Sequence, residues 1–171
     1  LNSYIMCFDW EGVLVEPLPD MFEKLVENYD QKYGLKFECA AITENDGEDF
    51  IHRVPPGTEG APEWADGCST MTPEKHIDYI VPMMVKEKIR TMTLKSLVEK
   101  HSLQDVNFVQ IDTEGYDFKI FMQMEGVVNP DLIKIEIAHI TYTNAVYMEY
   151  VLNQKGYKTF IDNYDLVAYR F

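Results

Sequence analysis

The chain has 171 residues, 46% of them hydrophobic, and a formal net charge of −14. That length and apolar fraction predict one domain with a single core. The acidic excess argues against nucleic acid and membrane surfaces as partners, because both recruit clustered Lys and Arg.

No apolar run approaches a bilayer span, and the N-terminus lacks the basic-then-apolar pattern of a signal peptide, so a cytoplasmic protein is expected. Cys7, Cys39 and Cys68 are widely spaced and lack the Cys and His neighbours of a zinc site, which predicts reduced thiols. Tyr4, Ile5 and Phe8 share one face of what reads as the end of a helix.

Gly12 to Val15 then form a short apolar strand, closed by Glu16 and Pro17. Asp20 with Glu23 has the form of a capping box, and Phe22, Leu25, Val26 and Tyr29 follow at helical spacing. Lys36 to Thr43, with Cys39, Ala40 and Ala41, predicts another strand, and Asn45-Asp46-Gly47 a turn before Phe50, Ile51 and Val54. From Val54 to about Val85, closely spaced Pro and Gly exclude long regular elements. This insertion is either a lid or binding loop, or a solvated excursion. Trp64 within it either packs on the body or lines a pocket.

Ile89 to Met92 reads as a strand, and Thr93 as the cap of a helix carrying Leu94, Leu97, Val98 and His101; the last is assigned a structural place against the helix dipole. Val106 to Ile111 is an apolar run suited to a buried strand. It stops at Asp112, and a helix beginning near Tyr116 is expected to turn Phe118, Phe121 and Met122 inward. Leu132 to Ile137 is another strand, ending near Glu136 with His139 three residues on. Asn144 is read as the cap of a helix running to Gly156. Tyr157 to Ile161 and Leu166 to Phe171 flank an Asp-Asn-Tyr-Asp turn as an antiparallel hairpin. The expected fold is α/β, a mostly parallel sheet with a C-terminal antiparallel hairpin.

Three acidic strand ends stand out: Glu16, Asp112 with Glu114, and Glu136 with His139. In an open parallel sheet such ends share one edge, where ligands bind. Asp112 or Thr113 also suits a plain helix cap. An acid ending an early strand suits the two hydroxyls of a ribose, which narrows a cofactor to the adenosine-containing class without separating adenosylmethionine from a nicotinamide dinucleotide.

The ordered segments GVLVEPLPDMFEKL, ECAAIT, TLKSLVEK, VQIDTEGYDFKIF, PDLIKIEI, GYKTF and YDLVAYRF resemble the FkbM-type family of S-adenosylmethionine-dependent methyltransferases. The resemblance is most specific at Asp112, Glu114 and Gly115. It implies a Rossmann-like methyltransferase fold and methyl transfer to a hydroxyl of a sugar, polyketide or other small molecule. On that resemblance Glu16, beside Pro17, holds the cofactor ribose, Ala40 and Ala41 border the adenine, and Asp112 lies by the methyl-donor pocket. Glu114, Glu136 and His139 are then candidates for removing the hydroxyl proton, with Asp112 as a further catalytic candidate. A divalent metal on Asp112, Glu136 and His139 is a less favoured alternative.

Family members place a first strand and a Gly-rich turn ahead of the Glu-bearing strand, whereas residues 1 to 12 contain only Gly12. The expectation is an N-terminally incomplete domain, with homo-oligomerisation as one means of covering the gap. Two other readings stand beside the enzyme: a catalytically silent methyltransferase-like interaction domain, and a nicotinamide-dependent dehydrogenase.

Overall fold

A computed structural model describes Ile5, Cys7, Phe8, Trp10 and residues 11–29, 34–75 and 79–171. Tyr4, and with it part of the expected N-terminal helical face, lies outside the described residues. The chain divides into two compact units, Leu1–Asp49 with Ile89–Gln104, and Phe50–Lys88 with Asp105–Phe171.

In the first unit, β1 (Gly12–Val15) leads into α1 (Pro19–Tyr29), which returns to β2 (Leu35–Glu38). The two strands pair in parallel, from Gly12 opposite Leu35 to Val15 opposite Glu38. This is the strand, acid, helix unit that Glu16-Pro17 and the amphipathic spacing predict. The Ala-rich stretch continues as β3 (Ala41–Ile42), parallel to the end of β6 (Val85–Met92), with Ala41 opposite Thr91. Strand β6 and β4 (Gly47–Arg53) each have residues in both units.

Helix α2 (Leu94–His101) is capped as expected: Thr93 Oγ1 accepts from the Ser96 N–H at 3.1 Å. Asp46 from the predicted turn reinforces that cap by accepting from the Thr93 N–H at 2.7 Å and Ser96 Oγ at 2.6 Å. His101 is structural for a stronger reason than the dipole. Its Nε2 lies 2.7 Å from Oε2 of Glu38, a carboxylate only 2% exposed that also meets Lys100 Nζ at 2.7 Å and the Arg90 guanidinium. Burial, followed by the charges of Lys100, Lys36 and Arg90, lowers the His101 pKa, so near neutral pH a neutral ring donates to Glu38.

The second unit is built on the sheet β7-β8-β10-β9, comprising β7 (Phe108–Ile111), β8 (Leu132–Glu136), β9 (Lys158–Asp162) and β10 (Asp165–Tyr169). β7 and β8 are parallel, while β10 is antiparallel to both β8 and β9. The hairpin is as predicted, with Asn163 taking the left-handed conformation in its turn (φ 55°). The sheet structure as a whole is mixed rather than mostly parallel. The returning β10 inserts between β8 and β9, and β4 pairs antiparallel with β5 (Ser69–Thr70), so antiparallel pairs stand beside parallel ones.

Helix α3 (Asp117–Gln123) buries Ile120 and Phe121; Met122, expected inside, is 45% exposed. Helix α4 (Tyr142–Gln154) is capped by Thr141, whose Oγ1 accepts from Asn144 N, so Asn144 is the partner of the cap rather than the cap. Ile133, Ile135, Met148, Leu152, Leu166 and Ala168 are buried in this unit. The described residues of the Pro- and Gly-rich insertion include three short 3-10 turns and a small core, Val54, Ala65 and Ile80, packed by Cys68, Met83 and Met84. Among the described residues no helix is long and apolar enough to cross a membrane.

In the Glu38 cluster the anion is buried while Lys100 and Arg90 are half exposed. Stripping the cations therefore leaves an uncompensated buried charge, whereas neutralising the anion leaves cations that water still solvates. Urea unfolding is expected to show that Arg90→Met with Lys100→Met costs about 3 kcal/mol or more, and Glu38→Gln clearly less.

Candidate functional site

Strand β7 ends at Ile111 and α3 begins at Asp117, so residues 112–116 form a five-residue loop at the C-terminal end of a parallel strand. The loop is folded around Asp117, which has no exposed surface. Its Oδ1 accepts from the Thr113 N–H and its Oδ2 from the Gly115 N–H, each at 2.9 Å. This acid, not Asp112 or Thr113, organises the start of α3. The signal was present in the sequence: an Asp two residues past the Asp-x-Glu-Gly core, in the first turn of a helix, where negative charge is favoured.

Asp117 holds two residues in left-handed conformations, Glu114 at φ 53° and Gly115 at φ 107°. Gly115 also has no room for a side chain, since a Cβ there would lie 2.6 Å from Thr72 Oγ1 and 3.4 Å from His139 Cβ. The turn lifts the Glu114 carboxylate to His139, with Oε2 to Nε2 at 3.1 Å. Glu136, at the end of the neighbouring β8, completes a group in which one ligating atom from each of Glu114, Glu136 and His139 lies within 4.8 Å of the others.

Electrostatics distinguish the carboxyls. Burial, then the negative charges of Glu114, Asp112, Asp117 and Asp165, pushes Glu136 up to about 8. Its Oε2 is shut off from water without a hydrogen-bond partner. Glu114 is also raised, chiefly by burial, but the His139 charge opposes the shift. Asp112 keeps an exposed surface, yet crowding around its carboxyl raises its pKa by desolvation first and by Asp117 and Asp165 next. Burial and the nearby Glu114 and Glu136 push the Cys68 thiol to about 11, which keeps it protonated and unreactive. Its place beside the acids was not legible in the sequence, because a lone Cys in a Pro- and Gly-rich stretch carries no positional signal.

Of the eight candidate residues, Glu114, Glu136 and His139 come together. The three supply two carboxylate oxygens and an imidazole nitrogen, a donor set that suits a divalent ion. The sequence reading groups Asp112 with Glu136 and His139 for that purpose; the geometry puts Glu114 in its place. Glu16, Pro17, Ala40 and Ala41 belong to the other unit. Glu16 is half-buried at the end of β1, and its Oε1 accepts from the Leu18 N–H at 2.9 Å. The Pro17 carbonyl accepts from Cys39 Sγ, and Ala40 and Ala41 are buried.

Alternating strands and helices, with acids ending β1, β7 and β8, describe an α/β protein that carries a carboxylate and imidazole site. A family model of the methyltransferase FkbM domain matches residues 3–159, and the chain belongs to that family of methyltransferases. No curated protein and no solved structure matches it at the significance required.

Glu136 binds its proton more tightly in the folded protein than at its ordinary value of 4.5. Between that pH and about 8 the unfolded chain has lost a proton that the folded chain retains, so rising pH destabilises the fold across this window. Glu136→Gln should remove that slope. Chemical denaturation at pH 4 and pH 8 is expected to show little difference at the lower pH and a variant more stable by about 2 kcal/mol or more at the higher.

Proposed function

We propose that the chain is an S-adenosylmethionine-dependent O-methyltransferase acting on a hydroxyl of a sugar, polyketide or other small molecule. The observation that carries this reading is the Glu114–His139 pair, 3.1 Å apart between the loops that follow β7 and β8, in a chain of the FkbM family. Oxygen is a weak nucleophile until its proton is removed or shared, and a positioned carboxylate–imidazole pair supplies that chemistry.

The cofactor, when bound, supplies an electrophilic methyl group on a sulfonium. Glu16 fits the ribose end of such a molecule: it is a strand-end carboxylate whose Oε1 is already oriented by the Leu18 N–H. Ala40 and Ala41 are small residues, buried where the family resemblance would set the adenine. Glu114 orients His139, and the pair accepts the hydroxyl proton. Glu136 keeps its own proton to about pH 8, which limits repulsion against Glu114 within the site.

The spacing of Glu114, Glu136 and His139 favours a second reading of the same residues, in which they hold a divalent cation that acidifies the hydroxyl. Transfer that survives treatment with EDTA supports the base, and loss restored by a divalent cation supports the metal.

Isothermal titration with S-adenosylmethionine is the first test, and an absence of binding heat would sink the proposal. Glu16→Ala should weaken that binding about tenfold, the loss of one good charged hydrogen bond. Transfer of labelled methyl to an acceptor should fall about 10² to 10⁴-fold in Glu114→Gln and His139→Ala, with cofactor affinity unchanged.

A further inference from the structure

We infer that Thr70, in the Pro- and Gly-rich insertion, is a positioning residue that sets the Glu114 carboxylate against His139. This rests on the reading that Glu114 and His139 work as a pair.

Thr70 has no exposed surface, and its hydroxyl reaches across 44 positions of sequence to donate to the Glu114 carbonyl at 2.7 Å. The same oxygen accepts from the Thr72 N–H at 2.9 Å and lies 3.3 Å from Thr72 Oγ1. A hydroxyl has one proton, and Thr70 gives it to Glu114, so Thr72 is the donor in that last contact. The Thr70 oxygen therefore has one donated and two accepted bonds and is fully used.

The placement matters because of the backbone it grips. Glu114 sits in the left-handed region at φ 53°, a conformation that costs a residue with a Cβ about 1 kcal/mol and persists only where its surroundings impose it. Asp117 holds the N–H groups on either side of Glu114, and Thr70 holds its carbonyl. The side chain that leaves this residue thus has a fixed origin and direction.

Thr70 is itself anchored. It lies opposite His52 in the β4–β5 pair, next to the pairing of Ser69 with Arg53. Arg53 is buried and bridges to Glu87 at 3.4 Å. The insertion, with its own packed core, is a brace for the acidic loop.

The test uses the full chain labelled at histidine with ¹⁵N and observed by NMR, with the His139 imidazole resonances assigned by their disappearance in His139→Gln. Thr70→Val and Thr70→Cys remove the strong hydroxyl donor, and Thr70→Ser retains it. The expected result is that the His139 Nε2 resonance keeps its wild-type position in the Ser variant and is displaced or lost in a folded Val or Cys variant, matching the change produced by Glu114→Gln. Methyl transfer is expected to follow, falling about tenfold in the hydroxyl-free variants and recovering with Ser.

An unchanged resonance in a folded Val or Cys variant overturns the inference. So does failure of both to fold, which would make Thr70 a requirement of the fold rather than a positioning residue. These results are separable from the methyltransferase reading: the resonance needs neither cofactor nor acceptor, and undiminished transfer by Glu114→Gln would refute the base without altering what the resonance reports.

Discussion

The buried carboxylate of Asp117 accepts two backbone N–H groups of its own loop, from Thr113 and Gly115, and the rest of the site depends on that pair of bonds. A carboxyl without exposure is costly unless its lone pairs are used. Here they are used by donors that a tight strand-to-helix turn would otherwise leave unsatisfied. One side chain thus satisfies the backbone, brings negative charge to the start of α3, and forces the left-handed step that raises Glu114 toward His139.

The same arrangement creates an electrostatic conflict. Burial raises the proton affinity of Asp112, Glu114 and Glu136, and the negative charge of Asp117 beside them adds to it in each case. The protein answers with different environments rather than distance. Glu114 is opposite an imidazole, Asp117 is wrapped in N–H donors, Asp112 keeps contact with water, and Glu136 retains its proton. Neighbouring acids held in such different environments suit acid–base chemistry, and a stable core has no need of them.

Much of this was legible because it is local. The apolar run ending at Asp112, the Thr93 cap and the turn between β9 and β10 each follow from a few adjacent residues, and the structure has them where spacing places them. Glu136 ends β8 as the LIKIE pattern predicts. What was hidden is non-local. No rule of spacing connects Thr70 to Glu114 or His101 to Glu38, since those bonds exist only once the chain has folded. Met122 departs from the expected inward face because α3 is a helix of only seven residues, too short for its periodicity to define one buried face. The mixed sheet is hidden for a related reason: a hairpin is visible in sequence, but where its second strand inserts is not.

That insertion has a consequence for how the site comes into being. Strand β8, which carries Glu136, pairs on one side with β7 and on the other with β10, the strand that follows all others of this sheet in sequence. During synthesis the acidic loop and β8 are therefore made well before Asp165–Tyr169 can cover the open edge of β8. Until then Ile133 and Ile135 lack part of their cover, and the edge offers unpaired backbone groups to any passing strand. Pairing β10 with β8 brings together strands that α4 and β9 separate in sequence, a longer-range contact than the β9–β10 hairpin. Asp165, opposite Glu136, belongs to that strand, so part of what raises the proton affinity of Glu136 arrives with β10.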